Sequence, residues 1–438
     1  MIVKRMIPVI LSVATLLLGS SVFAQQDNSD SLTIDQAVQL TVANHPLIQR
    51  AKQVIKVSEA QVGVAQSPSL PEISGVAGYT RIGPVPEFEL PGIGKEALAP
   101  YNNYDVHLGL RYTLYDFDRT ATAVEYARSN LQTVTDSVEY VKWTLAYQMT
   151  AVFNQILILR QSITVLDEQI DALNQHLLIS QKKVETGTAT KLDVLTTQVR
   201  VASANSARID ALNALRFQEI LFRQLVGFAP DKPVLVRGEL STNAVILKSD
   251  SLLQAATKQR AEIRTALDAE VGAGVIIRLA ELGNKPTLFL ALTSGFKNGY
   301  EPNIQRMMGN YAASLNLQAP IFDGYRTRHQ KEQARASLLA VQARMRDLER
   351  RIATEVGQAL SATLASQEKI SNAQVQVDRA EEAVTIAKAQ YGAGVNTNLD
   401  LLDAQTSLSE AKLVLLRARY DYVSSLNALD KATGKKIW

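Results

Sequence analysis

The feature that most constrains this chain is that its sequence is written twice. YDFDRT at 115–120 returns as FDGYRT at 322–327, and GTATKLDVLTTQ at 187–198 returns as GVNTNLDLLDAQ at 394–405. Both pairs keep one offset, 207, so the segment between the motifs has the same length in each copy. Upstream, Pro71 pairs with Pro286 at an offset of 215, which makes the loop before Tyr104 longer in the first copy. A constant offset of this kind predicts one structural unit used twice, over about 32–227 and 250–433.

Proline and glycine divide each unit. Arg119 to Thr186 contains neither, and Arg326 to Tyr391 contains only Gly357. At ~1.5 Å per residue each would be a helix of roughly 100 Å, too long for a globular core. Leu159, Ile163, Leu166, Ile170, Leu173, Leu177, Ser180 and Val184 alternate spacings of four and three. Ile370, Ala373, Val377, Ala380, Val384, Ala387 and Tyr391 repeat the pattern, with alanines that permit close approach. A period of ~3.5 is the seam of supercoiled helices. Two shorter stretches accompany each long one: Ile34–Gln66 with Lys191–Gly227, and Asp250–Gly283 with Thr397–Ala432. In both copies the two short stretches together nearly equal the long one, so we expect them stacked end to end beside it. Pro230 and Pro233 mark residues 228–249 as the linker between the copies.

Between short and long helix the period changes to two. Tyr104, Val106, Leu108, Leu110, Tyr112 and Leu114 alternate with Asp105, His107, Gly109, Arg111 and Thr113, and Tyr311, Ala313, Leu315 and Leu317 do the same in the second copy. Eleven tilted strand residues span about 25 Å, the height of the apolar band of an outer-membrane barrel. Partner strands are expected near 72–82 and 286–296, beside strands at 104–115 and 310–320. Aromatic residues crowd these segments, as interfacial girdles require, and Tyr104, Tyr112, Tyr115, Tyr311 and Phe322 are the candidate girdle. Four strands cannot close a barrel, and an open edge in lipid leaves backbone groups unpaired, so several copies must contribute to one barrel.

The N-terminus reads as a secretory signal peptide, residues 1–24: Lys4 and Arg5, an uncharged apolar stretch from Met6 to Gly19, and Val22-Phe23-Ala24 before a cut at Gln25. With no cysteine anywhere, attachment of a lipid to an N-terminal Cys is ruled out. No later uncharged apolar run is expected to cross a membrane as a helix, leaving β-structure for that purpose.

This combination resembles the TolC-like outer-membrane efflux family over essentially all of the chain after the signal. The motifs that carry the resemblance are the strand-to-helix corner PIFDGYRT at 320–327, its degenerate partner LYDFDRT at 114–120, the two glycine-bearing tips and NHPLI at 44–48. The fold expected is mainly α with a membrane β-barrel part, built from a duplicated helix-strand-strand-long helix-helix unit. The first repeat is 25–227 (long helix about 118–186), and the second is 250–438 (long helix about 325–391). The resemblance implies a homotrimer whose twelve-stranded barrel continues into a twelve-helix periplasmic tunnel. It further implies an exit duct for drugs, metals, other small molecules or proteins, working with a periplasmic adaptor protein and an inner-membrane transporter and sitting in outer-membrane lipid.

At the tips, Gly187 and Gly394 suit left-handed helix ends, and Thr190 and Thr397 suit N-caps of the following helices. Asp193 and Asp400 stand three residues later, where they can cap and meet the helix dipole. The resemblance offers further roles. It implies that Asp400 and Asp403 form acidic rings at the periplasmic entrance, that Asp193 and Tyr391 belong to a polar network closing the tips, and that Asn396 replaces an arginine frequent in that network. The tip turns would also dock the adaptor. At the corners Asp116, Arg119, Asp323, Gly324 and Arg326 are singled out.

Catalytic chemistry is not visible. His45, His107, His176 and His329 have no ligand spacing, no glycine loop cradles phosphate after a strand, and a net charge of +3 suggests no nucleic-acid partner. Neither cofactor nor metal is implied, and no enzyme is expected. The alternative reading is a periplasmic coiled-coil adaptor or interaction protein without a membrane barrel.

Overall fold

The computed structural model describes residues 31–90, 92, 94–240 and 249–438. The signal peptide and most of the distal half of the 228–249 linker lie outside the described residues. In chain order the elements are α1 (Ile34–Asn44), α2 (Pro46–Gln66), β1 (Glu72–Arg81), β2 (Glu87–Leu90), β3 (Gly94–Ala97), β4 (Asn102–Tyr115), α3 (Arg119–Glu185) and α4 (Lys191–Val226). The second copy supplies α5 (Ser249–Gln259), α6 (Ala261–Glu281), β5 (Thr287–Lys297), β6 (Met308–Gln318), α7 (Arg326–Gly392) and α8 (Asn398–Ala432).

The helices α3 and α7 are each 67 residues long. Near its start α3 meets α6, where Arg278 pairs with Glu125. Further along it meets α4 and α8 through the ion pairs Arg208–Asp167 (2.5 Å) and Lys412–Glu168 (2.9 Å). A long helix flanked successively by short ones is thus the basic layout. Buried seam residues recur every seventh position in α3, at Leu166, Leu173 and Ser180, with His176 between them. In α7 they are Ala373, Val377, Ala387 and Tyr391.

Midway along the rod each copy builds a small core. In the first, Ile48 of α2, Leu145, Met149 and Val152 of α3, and Phe222 and Leu225 of α4 are buried together with Val234 and Val236. The second packs Ile263, Ile352, Val356, Ala359, Leu429 and Ala432. Each of these six stands at the repeat offset from a residue of the first core: Ile263 answers Ile48 upstream of the sheet, and Ile352 and Leu429 answer Leu145 and Phe222 beyond it. The repeat is therefore one of packing as well as motif. By composition α3 contains one window apolar enough to cross a membrane, and half of that window is buried. That window, which was not expected from the sequence, is core material.

Two further expectations need correction. The stretch Ile34–Gln66 is not one helix: His45 adopts an extended conformation (φ −64°, ψ 130°) and divides α1 from α2. Pro46 lacks the N–H that would continue the ladder and pushes its predecessor out of the helical region. The matching stretch breaks likewise at Arg260 (φ −67°, ψ 128°), where no proline follows. There the Arg260 side chain, 3 % exposed, is tied to Glu262 (2.6 Å) and Glu355 (2.5 Å). The longer loop of the first copy also carries the hairpin β2–β3, which was not expected.

The four long strands form one antiparallel sheet in the order β1-β4-β5-β6. Its register places Ile73, Leu110, Leu292 and Ala313 in one row, and Leu108, Ser294 and Tyr311 in another, all on one face. Glu72 and Arg111, Ser74 and Gly109, and Asp105 and Lys297 fall on the opposite face. One side is therefore apolar and exposed, the other polar. Gly295 is required by close approach: a Cβ there would lie 2.5 Å from His107 Cα and nearer still to the Val106 carbonyl.

Candidate functional site

At the strand-to-helix corners the duplication is reproduced atom by atom. Asp116 Oδ2 accepts from the Thr120 amide (2.8 Å) and hydroxyl (2.5 Å), and Asp323 Oδ2 accepts from the Thr327 amide (3.0 Å) and hydroxyl (2.5 Å). The latter pair of bonds holds the Asp323 carboxyl below the usual carboxylate range. The turn needs two successive left-handed residues, Phe117 and Asp118 in one copy and Gly324 and Tyr325 in the other. Arg119 donates to the carbonyls of Leu282 (2.9 Å) and Lys285 (3.0 Å), so it ties the start of α3 to the end of α6. Arg326, its counterpart, is exposed. Above these corners the candidate girdle residues Tyr104 and Tyr311 are exposed on the apolar sheet face, the second by 87 %. Tyr115 and Phe322 are exposed at the corners beside Phe117 and Tyr325, whereas Tyr112 is half-buried.

The opposite end is the pair of tips. Gly187 (φ 76°) and Gly394 (φ 76°) occupy the left-handed conformation in which L side chains are strained. Thr188 and Val395 amides close the helix ends on the carbonyls of Lys183 (2.8 Å) and Gln390 (2.9 Å). Thr190 and Thr397 then begin α4 and α8 with full capping boxes. Asp193 Oδ2 accepts from the Thr190 amide and hydroxyl (both 2.8 Å), and Asp400 Oδ2 accepts from those of Thr397 (2.8 and 2.6 Å). In each case Oδ1 is the oxygen not used by the cap. The Thr397 bonds lower the Asp400 pKa, keeping it ionised at neutral pH.

Asp403, one turn on, is bound elsewhere. Its Oδ1 accepts from Arg200 Nη2 at 2.9 Å, joining α8 to α4. The structure therefore brings Asp400 and Asp403 onto one helix but gives them different partners. Asn396 donates its backbone N–H to the Gln390 carbonyl (3.4 Å).

Tyr391 is buried against His176 (ring centroids 5.1 Å apart), with Lys183 Nζ 3.9 Å from its ring centre. Its hydroxyl is buried and finds no hydrogen-bond partner among the described residues. His176 Nε2 lies 2.5 Å from Asn398 Oδ1, and Asn398 Nδ2 donates to the Asp193 carbonyl (3.2 Å). This His176–Asn398 link, which joins the two tips at their base, was missed by sequence reasoning. The one available signal was a histidine placed between Leu173 and Ser180 on the seam.

Known proteins resemble this chain in sequence and fold. A family model described as "Outer membrane efflux protein" matches residues 37–227 and 252–435. The outer membrane efflux protein BepC of Brucella suis is 23 % identical over 97 % of this chain and 90 % of its own length. The alkaline protease secretion protein AprF of Pseudomonas aeruginosa is 24 % identical over 94 % of this chain and 86 % of its own. The crystal structure of the Campylobacter jejuni CmeC outer membrane channel superposes with a TM-score of 0.79, covering 92 % of this chain and 85 % of that one at 17 % identity.

Proposed function

The chain belongs to the outer membrane efflux protein family, and on that premise we propose that three copies form the outer-membrane exit duct of a tripartite efflux pump or type I secretion system. The duct carries small molecules or proteins outward and performs no chemistry on them. The observation that carries this reading is the four-stranded sheet with an apolar exposed face and a polar opposite face, standing above long helices whose buried apolar cores are small and local. Among the described residues its outermost strands, β1 and β6, each have a neighbour on one side only. Edges of this kind are tolerated in lipid when neighbouring copies pair with them, and three four-stranded sheets give twelve strands, a closed barrel of ordinary size.

Below the membrane, the tips would narrow the tunnel. Asp400 and Asp403 would line the mouth as three-fold rings, with Asp193, Tyr391 and Asn396 contributing to closure. An unpaired buried hydroxyl such as that of Tyr391 costs about 1–3 kcal/mol, which a rearranged tip offering an acceptor would recover; this supports Tyr391 as a moving part. Exposed Leu192, Val395 and Leu399 beside Gly187, Thr190, Gly394 and Thr397 support the tips as the docking surface of a periplasmic adaptor, itself joined to an inner-membrane transporter. The name AprF speaks of protease secretion and BepC of efflux, so both cargo classes stay within this reading.

Fractionation with a transport assay tests it. The protein should sediment with the outer membrane, require detergent, run as a trimer resistant to sodium dodecyl sulfate, and lower cellular accumulation of a fluorescent substrate when produced with a pump and adaptor. A soluble periplasmic monomer would overturn the duct in favour of an adaptor.

A further inference from the structure

We infer that Arg200 sets the ion preference of the tunnel mouth by cancelling the charge of Asp403, an assignment that rests on the reading of Asp400 and Asp403 as lining that mouth. Arg200 Nη2 and Asp403 Oδ1 are 2.9 Å apart. Arginine stays protonated at every pH a cell meets, and its side chain here is 38 % exposed, so the neutralisation happens where an ion would feel it. A bare carboxylate presents a monopole to a passing ion, whereas a carboxylate paired at contact distance presents a dipole whose field falls off faster. Repeated three times, the Asp403 ring becomes a ring of dipoles, and Asp400 alone carries uncompensated charge.

The repeat shows that this pair is an addition to the shared scaffold. Across the repeat, Arg200 corresponds to Ser407 and Asp403 to Thr196, so neither partner has a counterpart, although Thr190 and Asp193 match Thr397 and Asp400. Folding the tip does not call for it, since both caps close without it. The wider tip is also balanced. Across 182–200 and the matching 389–407, the cations Lys182, Lys183, Lys191 and Arg200 equal in number the anions Glu185, Asp193, Asp400 and Asp403. A mouth of this composition passes cations and anions with weak preference until Arg200 is removed.

The test is the reversal potential of the purified protein in planar bilayers across a potassium chloride gradient, comparing the unaltered chain with Arg200→Gln, Asp403→Asn and the double variant. Arg200→Gln should raise the cation-to-anion permeability ratio roughly twofold to fivefold at low salt and sharpen block by a trivalent cation. Asp403→Asn should shift the ratio the other way, and the double variant should return it to the unaltered value. Trimers resistant to sodium dodecyl sulfate in all four preparations establish that assembly is intact. An unchanged ratio in Arg200→Gln, or a double variant that behaves like Asp403→Asn alone, overturns the assignment. Absence of any conductance from the unaltered protein overturns the channel reading on which it rests.

Discussion

His176 ties α3 to α8 at the base of the tips while only 3 % exposed. Its Nε2 is the donor to Asn398 Oδ1, which fixes the neutral tautomer. Burial pulls its pKa below the ordinary 6.5; the Asn398 bond opposes that shift, nearby Lys183 adds to it, and Asp193 opposes it. The Tyr391 ring of α7 and the Ser180 hydroxyl of α3 also pack against it. With the folded pKa depressed, the unfolded tip binds more protons as pH falls below about 6.5. The stabilisation is therefore complete above that value and lost as pH drops through the folded pKa. The protection of the Asn398–Asp403 amides against hydrogen exchange, corrected for the slower intrinsic exchange at lower pH, should fall between pH 7 and pH 5 in the unaltered protein. His176→Gln, which keeps a donor without the titration, should flatten that profile; an equally steep profile in the variant would show that another group is responsible. Sequence alone did not expose this link, because His176 corresponds to Ala383 and Asn398 to Lys191 in the repeat. Only the lateral register of α3 against α8 brings the two together. The caps on Thr190 and Thr397 were legible, since they depend on three-residue spacing along one chain segment.

At the scale of elements, spacing along the chain revealed lengths and periods but not interruptions. The ends of α3 and α7 follow from glycine and from the corner motifs, whereas the break at Arg260 follows from side-chain bonds to Glu262 and to Glu355, the latter far along the chain in α7. Sheet faces were legible because alternation is local; sheet order was not, because β4 and β5, which pair, belong to different copies. Their junction is the tightest place in the sheet. Gly295 sits opposite His107, and even a methyl group would force β4 and β5 apart along the hydrogen-bonded ladder. Gly109, on the neighbouring row, would place its Cβ 3.3 Å from the rotatable Ser74 hydroxyl. Gly295→Ala should accordingly abolish the heat-modifiable trimer on gel electrophoresis, and Gly109→Ala should leave it in place. Equal trimer yields from the two variants would mean that the sheet yields more readily than this backbone contact allows.

For the whole molecule the decisive quantity is surface. The chain exposes 28480 Å², against the ~16,500 Å² of a compact monomer of its 48.0 kDa mass. Large apolar side chains are among what is exposed: Tyr311, Leu315 and Leu317 on the sheet, and Leu192, Val199, Ile209 and Phe217 along α4, are all more than half exposed. The repeat, legible from two motifs, already implied a protomer that is unfinished alone, but it could not say which edges meet. The sheet order does. Since β1 and β6 are the edges, a barrel made of copies must join β1 of one chain to β6 of the next. With no native cysteine in the sequence, the junction can be mapped by single disulfides in an otherwise silent background. Ala77→Cys on the outward face of β1 should be combined in turn with Ala313→Cys, Leu315→Cys and Leu317→Cys on the same face of β6. At least one pair should oxidise to a ladder ending in a covalent trimer, while each single-cysteine control stays uncrosslinked in the membrane-embedded trimer. β1 and β6 are separated within one chain by β4 and β5, at ~4.8 Å per strand step, too far for an intramolecular bridge. A product confined to dimers would exclude a closed three-fold ring, and failure of every pair to cross-link would mean that the edges face something other than each other.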